Sequence, residues 1–276
     1  MGRFRYSYSV PGRSAEDLYR PVDRLAQLGY EAVELGGEIP LSEAEKVRGL
    51  VEDAGMSVAS ICPSFTADRD LSHPDAEVRE NAVRYVRGLA DIASAAGAPK
   101  VIVAPTAFLR NLPLASEEEE WKWAVESIRA CGEYAERLGV DLTLECWNRY
   151  GTYLLNRLEQ AGRLWRETGL ENGGVMADTY HMNIEERSLP EAIRQTGELL
   201  NHVHLSDSNR AAPGQGHIDF GAILRALVEI GYGGYLTFEL DVQAALRSGA
   251  VRDEDDPQGR LMEQAIEHTS RLESRL

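Results

Sequence analysis

Residues 138–146 read Leu138-Gly139-Val140-Asp141-Leu142-Thr143-Leu144-Glu145-Cys146. An amphipathic segment ends at a glycine, a short apolar and β-branched run follows, and a carboxylate stands near the end of that run. Gly tolerates the left-handed conformation that closes a helix. A bounded apolar run of this length is the pattern of a buried strand. Helix, glycine, strand and polar strand end therefore form one unit, and the rest of the chain can be searched for copies of it.

The same junction recurs at Leu28-Gly29, Ala54-Gly55, Ala96-Gly97, Thr168-Gly169 and Ile230-Gly231. Strands are expected at Phe4–Val10, Ala32–Leu35, Ser57–Cys62, Lys100–Ala104, Asp141–Cys146, Gly174–Asp178, His202–Ser206 and Tyr235–Leu240. Between them, Ser14–Leu28, Pro74–Ala96 and Glu117–Leu138 carry helical periodicity, the first interrupted by Pro21, which is expected to split it. Glu117–Leu138 opens with acidic residues, which suits the positive end of a helix dipole. Ser248–Gln258 is charged and reads as a solvated loop before a last helix, Arg260–Leu276. Strict βα alternation implies parallel strands and right-handed crossovers. Eight such units predict a (β/α)8 TIM barrel, a single domain over residues 1–276 with an additional C-terminal helix. An open doubly wound sheet is the rival, but no GxGxxG turn follows the first strand to support it.

Composition narrows the function classes. The chain has 276 residues, 43% hydrophobic and 27% charged, as a soluble protein with a sizeable core does. With 29 basic against 45 acidic residues and a net charge of −16, it is a poor partner for the phosphate backbone of nucleic acid. No apolar run reaches transmembrane length, and Met1–Val10 has no run of signal-peptide type. Cys62, Cys131 and Cys146 are odd in number and lack CxxC spacing, so neither a disulfide framework nor a zinc knuckle is indicated. A reduced, cytoplasmic protein is expected.

Chemistry in such a barrel lies at the C-terminal ends of the strands. Strands five to eight end in Glu145, Asp178, His204 and Glu239, four metal-capable side chains aimed at one mouth. A mostly oxygen donor set suits a hard or borderline divalent ion such as Mn²⁺, Mg²⁺ or Co²⁺. His202, two residues before His204, points to the same face one layer deeper and reads as a packed or supporting histidine. His73 and His268 read as surface residues, and His217 is left open. The cysteines read as core residues; Cys146 adjoins Glu145, but its side chain should face away from it.

At these residues the sequence resembles the xylose-isomerase-like barrel superfamily of sugar isomerases and epimerases, and among them the ketose 3-epimerases (the D-tagatose/D-allulose 3-epimerase group). The resemblance is carried by Leu144–Tyr150 (LECWNRY), Asp178–Glu186 (DTYHMNIEE), His202–Arg210 (HVHLSDSNR), Pro213–Phe220 (PGQGHIDF) and Phe238-Glu239. It implies one divalent metal, Mn²⁺ before Co²⁺ or Mg²⁺, held by Glu145, Asp178, His204 and Glu239. It implies that His181 and Arg210 contact a ketose near its carbonyl, and that Asp207 is a supporting acidic residue. Where these epimerases usually carry a glutamate that touches the substrate, this chain has Gly151, and the missing side chain leaves room for a bulkier group. A homo-oligomer, dimer or tetramer, is expected of a chain of this kind.

The resemblance implies epimerisation at C3 of a free ketose through a cis-enediolate. Glu145 and Glu239 would act as acid and base on opposite faces, and His181 and Arg210 would hydrogen-bond the developing oxyanion. The alternatives are aldose–ketose isomerisation and metal-dependent elimination on a keto sugar, keto-inositol or 3-keto-glycoside. Apurinic-site DNA repair shares the barrel but needs more histidine ligands than six scattered ones provide. A non-catalytic sugar-binding subunit would not need the four-ligand set.

Overall fold

The computed structural model describes residues 3–253 and 256–276. Eight strands form a closed barrel in sequence order: β1 (Arg5–Val10), β2 (Ala32–Gly36), β3 (Ser57–Cys62), β4 (Lys100–Val103), β5 (Asp141–Glu145), β6 (Gly173–Asp178), β7 (Leu200–Leu205) and β8 (Tyr235–Phe238). All neighbours pair in parallel, and β1 closes the ring on β8. The crossovers are α1 (Ala15–Gln27), α2 (Leu41–Asp53), α3 (Ala76–Ala96), α4 (Glu117–Glu136), α5 (Leu158–Thr168), α6 (Thr179–Glu185), α7 (Leu189–Thr196) and α8 (Phe220–Glu229). After β8 come α9 (Val242–Ser248) and the C-terminal helix α10 (Pro257–Glu273). The barrel and its C-terminal helix are those read from the sequence.

The junction glycines explain why the elements fall where they do. Gly29, Gly55, Gly97, Gly139, Gly169 and Gly231 all have φ between 68° and 85°, the left-handed region in which a Cβ is strained. At the other ends, side chains take the free amide groups: Ser14 accepts from Asp17, and Ser116 and Glu119 form a reciprocal capping box on the acidic start of α4.

Several expectations need correction. Pro21 does not split α1, which runs unbroken from Ala15 to Gln27 with Leu18, Val22 and Leu25 buried on one face. The β6–β7 crossover holds two helices, because Asp178 and Ser188 each cap a separate start. The solvated loop is shorter than Ser248–Gln258, since α9 reaches Ser248 and α10 starts at Pro257; Glu254 and Asp255 of that stretch lie outside the described residues. His73 and His268 are half-buried rather than surface residues. His73 Nδ1 accepts from Asp75 N at 3.0 Å ahead of α3. The His268 ring lies over Gly214, where a Cβ would come within 2.4 Å of it.

One excursion matters for the barrel mouth. The segment between β4 and α4 is clamped by Asp70, which accepts from Ala107 N at 2.9 Å and from Arg110 Nε at 2.6 Å. Arg110 also pairs with buried Glu120. Between those anchors Leu109 is forced to φ 69°, a conformation costly for a branched side chain. Among the described residues, no helix is long and apolar enough to cross a membrane.

Candidate functional site

The barrel fold carries each predicted side chain to the same end of the ring. Glu145 and Asp178 are the last residues of β5 and β6, His204 is the penultimate residue of β7, and Glu239 directly follows β8. Asp178 and His204 face one another across the β6–β7 register. Asp178 Oδ1 caps α6, accepting from Tyr180 N at 2.8 Å and His181 N at 3.3 Å. That duty leaves Oδ2 turned into the cleft, 3.9 Å from His204 Nδ1 and 3.2 Å from Arg210 Nη1. Glu239 Oε2 lies 3.5 Å from His204 Nδ1 and 2.6 Å from Arg210 Nη1. Among the described residues three groups of possible ligands have their atoms within 4.8 Å of one another: Asp178–His204–Glu239 and Glu145–Asp178–His181, joined through Asp178, and Glu34–His202–His204.

The residue that composition and spacing missed is Glu34 of β2. It is fully buried, and its Oε2 accepts three hydrogen bonds, from Ser60 Oγ at 2.7 Å, His202 Nε2 at 2.9 Å and His204 Nε2 at 2.9 Å. His202 is thus the supporting histidine the sequence suggested. With Nε2 committed to Glu34, the other nitrogen of His204 faces the cleft. Among the described residues, that buried Nδ1 has no hydrogen-bond partner.

Electrostatics sharpen the picture. Burial raises the Glu145 carboxyl, and the nearby Glu239 and Asp178 charges add to the shift; it is pushed up to about 8. Burial also opposes charge on Glu239, but Arg210 and His204 outweigh it and hold that carboxyl well below its ordinary value. Burial disfavours a charged His204, and the Glu34 and Glu239 carboxylates overcome that and raise it well above the usual imidazole range. His202 is driven down to about 4 by burial despite its bond to Glu34. A cleft holding three carboxyl groups, one of which resists ionisation, and a histidine nitrogen without a partner is matched to a divalent cation. Glu145, Asp178, His204 and Glu239 fit that role as donors.

His181 and Arg210 complete the cleft. His181 Nδ1 accepts from Asn148 N at 3.0 Å, and Asn148 Nδ2 lies 2.9 Å away. Burial lowers the pKa of this histidine, and its Nε2 lies 3.0 Å from Arg210 Nη2. Arg210 takes φ 60°, its guanidinium lies 4.3 Å above the Tyr180 ring, and its loop is tied down by Asp207. Asp207 accepts from Ser208 N, Gly214 N and Ile218 N at 2.8, 2.8 and 3.2 Å. His217, left open by the sequence, is exposed and bonded to Ser208 Oγ at 2.9 Å, outside the cleft. Cys146 turns away, its Sγ 3.2 Å from Arg157 O. Cys62 does line the site, 3.9 Å from Glu239 Oε1, where a core residue was expected.

The family described as "Xylose isomerase-like TIM barrel" matches residues 22–272. The chain belongs to this family. It is 29% identical over 245 residues to the 3-dehydro-D-guloside 4-epimerase of Escherichia coli, covering 86% of this chain and 92% of that one. It is 31% identical over 229 residues to the D-psicose 3-epimerase of Ruminiclostridium cellulolyticum, covering 79% and 76%. A solved L-ribulose 3-epimerase superposes with a TM-score of 0.86 at 26% identity, over 99% of this chain and 96% of that one. The likeness to ketose 3-epimerases read from the motifs therefore holds. Epimerases are isomerases, and that is the enzyme class of this chain.

Proposed function

We propose that the chain is a divalent-metal-dependent sugar epimerase, one catalytic domain over residues 1–276, that inverts C3 of a free ketose through a cis-enediolate. The observation that carries this reading is the convergence of Glu145, Asp178, His204 and Glu239 from β5–β8 on one cleft beside His181 and Arg210. A bound divalent cation, Mn²⁺ by preference and Co²⁺ or Mg²⁺ by the same donor logic, supplies Lewis acidity that acidifies a C–H next to a carbonyl. Glu145 and Glu239 are three strands apart around the ring, so a sugar between them meets one carboxyl on each face. One removes the C3 proton and the other delivers a proton to the opposite face, which inverts the centre. His181 Nε2–H and the Arg210 guanidinium donate to the oxygen that gains charge.

A second reading is favoured by one observation. The space beside Gly151 is not open: the Phe108 ring fills it, 3.1 Å from where a Cβ would stand, with Trp147 Cβ at 3.2 Å. An apolar ring in place of a polar anchor favours a ketone carried within a glycoside, as in the substrate named for the Escherichia coli relative, with inversion next to that ketone.

The deciding experiment incubates the Mn²⁺-loaded protein in D₂O with D-fructose, D-tagatose, D-allulose, L-ribulose and a methyl 3-keto-glucoside, followed by NMR. Deuterium at C3 with the C3 epimer supports the first reading. Exchange only in the keto-glycoside, beside its ketone, replaces it with the second. No exchange anywhere, with metal bound stoichiometrically, refutes both.

A further inference from the structure

Three aromatic rings lead outward from the reacting centre. Trp147 stands two residues beyond Glu145, the last residue of β5. Phe65 and Phe108 pack edge-on against Trp147, with ring centroids 6.5 Å and 5.3 Å away and interplanar angles of 62° and 89°. Phe65 and Trp147 are buried, but Phe108 is 53% exposed at the mouth of the barrel.

A half-exposed phenyl ring forgoes about 1 kcal/mol of burial, and here the backbone holds it in that position. Phe108 N donates to Phe65 O at 2.9 Å, and Leu109 N donates to Gly151 O at 2.8 Å. Arg110 pairs with Thr152 in an isolated parallel bridge and is locked from below by Asp70 and Glu120. Leu109 is held in the left-handed region as a result. Four anchors and one strained residue thus fix the ring upright next to the cleft, and backbone strain persists only where the surroundings over-determine it. Gly151 is part of the same device: a Cβ there would stand 3.1 Å from the Phe108 ring and 3.2 Å from Trp147 Cβ, close enough that a neighbour must give by a few tenths of an ångström.

We propose that Phe108 is a stacking platform for a second ring attached to the reacting sugar, so that the preferred substrate is a keto-glycoside with a cyclic or aryl aglycone. This rests on the epimerase reading above and extends its second form. The flat C–H face of a pyranose or an aryl group offers what an exposed phenyl ring can bind, namely apolar area and an edge or face contact. A free monosaccharide held at Glu145 and Glu239 has no second ring to place there.

The test compares phenyl and methyl 3-keto-β-D-glucopyranosides by deuterium exchange beside the ketone in the Mn²⁺-loaded enzyme. The expected phenyl-to-methyl ratio of kcat/KM is about tenfold, the upper end of what one aromatic contact supplies. In Phe108→Leu, which keeps apolar bulk over Trp147, the ratio falls towards one, and in Phe108→Tyr it is retained. Equal exchange of the two glycosides by the native enzyme overturns the platform while leaving the epimerase reading intact. So does an equal fall for both in Phe108→Leu, which would make the ring a packing element of Trp147 alone. Failure of both glycosides to exchange, while a free ketose does, overturns the keto-glycoside reading on which the platform rests and leaves the free-ketose reading standing.

Discussion

The Glu34→Gln substitution offers the sharpest test of how the cleft is built. Glu34 is fully buried, and its Oε2 accepts hydrogen bonds from Ser60, His202 and His204 at 2.7, 2.9 and 2.9 Å. A carboxylate on the far nitrogen of a ligating histidine fixes the ring's tautomer and raises its basicity, and removing such partners typically costs 10–100-fold in metal affinity. Gln keeps an acceptor oxygen and nearly the same volume, so the ring stays in place and the loss of charge is what is measured. We expect the Kd for Mn²⁺ to weaken by about 10–100-fold, or about 1.4–2.8 kcal/mol. Proton competition acts in the opposite direction, because Glu34 also helps to keep His204 protonated, and a protonated ring cannot bind metal. Calorimetric titration across pH separates the two effects. In the native chain the Kd tightens as pH rises and His204 gives up its proton; in Glu34→Gln this dependence flattens, and the limiting Kd at high pH is weaker. An unchanged limiting Kd, with only a lower melting temperature of the metal-free protein, would show that Glu34 is a packing residue and refute the reasoning.

Other predictions follow from the same geometry. Glu145→Gln and Glu239→Gln should each lose turnover by several powers of ten even when metal content is restored; appreciable exchange in both metal-loaded variants would rule out the two-carboxyl scheme. Asn148→Ala removes the side-chain contact that helps to fix the His181 tautomer while the backbone donor remains, so kcat/KM should fall by about three- to tenfold, the worth of one hydrogen bond; a kcat/KM equal to that of the native chain would detach Asn148 from the chemistry. Arg110→Ala leaves buried Asp70 and Glu120 without their cation and should cost about 3–5 kcal/mol in urea unfolding, whereas a loss under 1 kcal/mol would contradict a clamped loop. Finally, folded Glu145 binds its proton up to about pH 8 while its ordinary value is 4.5. His202 and His181, both lowered by burial, have an ordinary value of 6.5 and are neutral in folded and unfolded chains above it. Between pH 6.5 and 8 the folded state therefore binds more protons than the unfolded one, and the metal-free protein should lose stability as pH rises. A melting temperature that holds or climbs across that window would count against it.

What the sequence makes legible, and what it hides, follows from the range over which each signal acts. Gly139 and its five counterparts mark helix ends because a left-handed residue is a local demand, so the barrel can be counted along the chain. Asp178 and His181 are equally local: one carboxylate ends a strand, caps the next helix and thereby sets a histidine three residues on at its side. Glu34 and Phe108 are different. Glu34 sits within β2, with a glycine rather than a carboxylate at that strand's end, and its meaning arises only when the ring closes and brings it to His202 and His204, 168 and 170 residues away. Phe108 and Gly151 are adjacent solely because two loops meet over Trp147, so an absent side chain at residue 151 reads as vacant room in the sequence and as a filled aromatic contact in the fold. The candidate metal donors are thus local in origin, while both the residue that aims His204 and the ring proposed as a platform for the substrate are products of closure. Substrate choice in this chain should accordingly change through its loops, by single substitutions at Phe108 or Gly151, without disturbing the four donors at the strand ends.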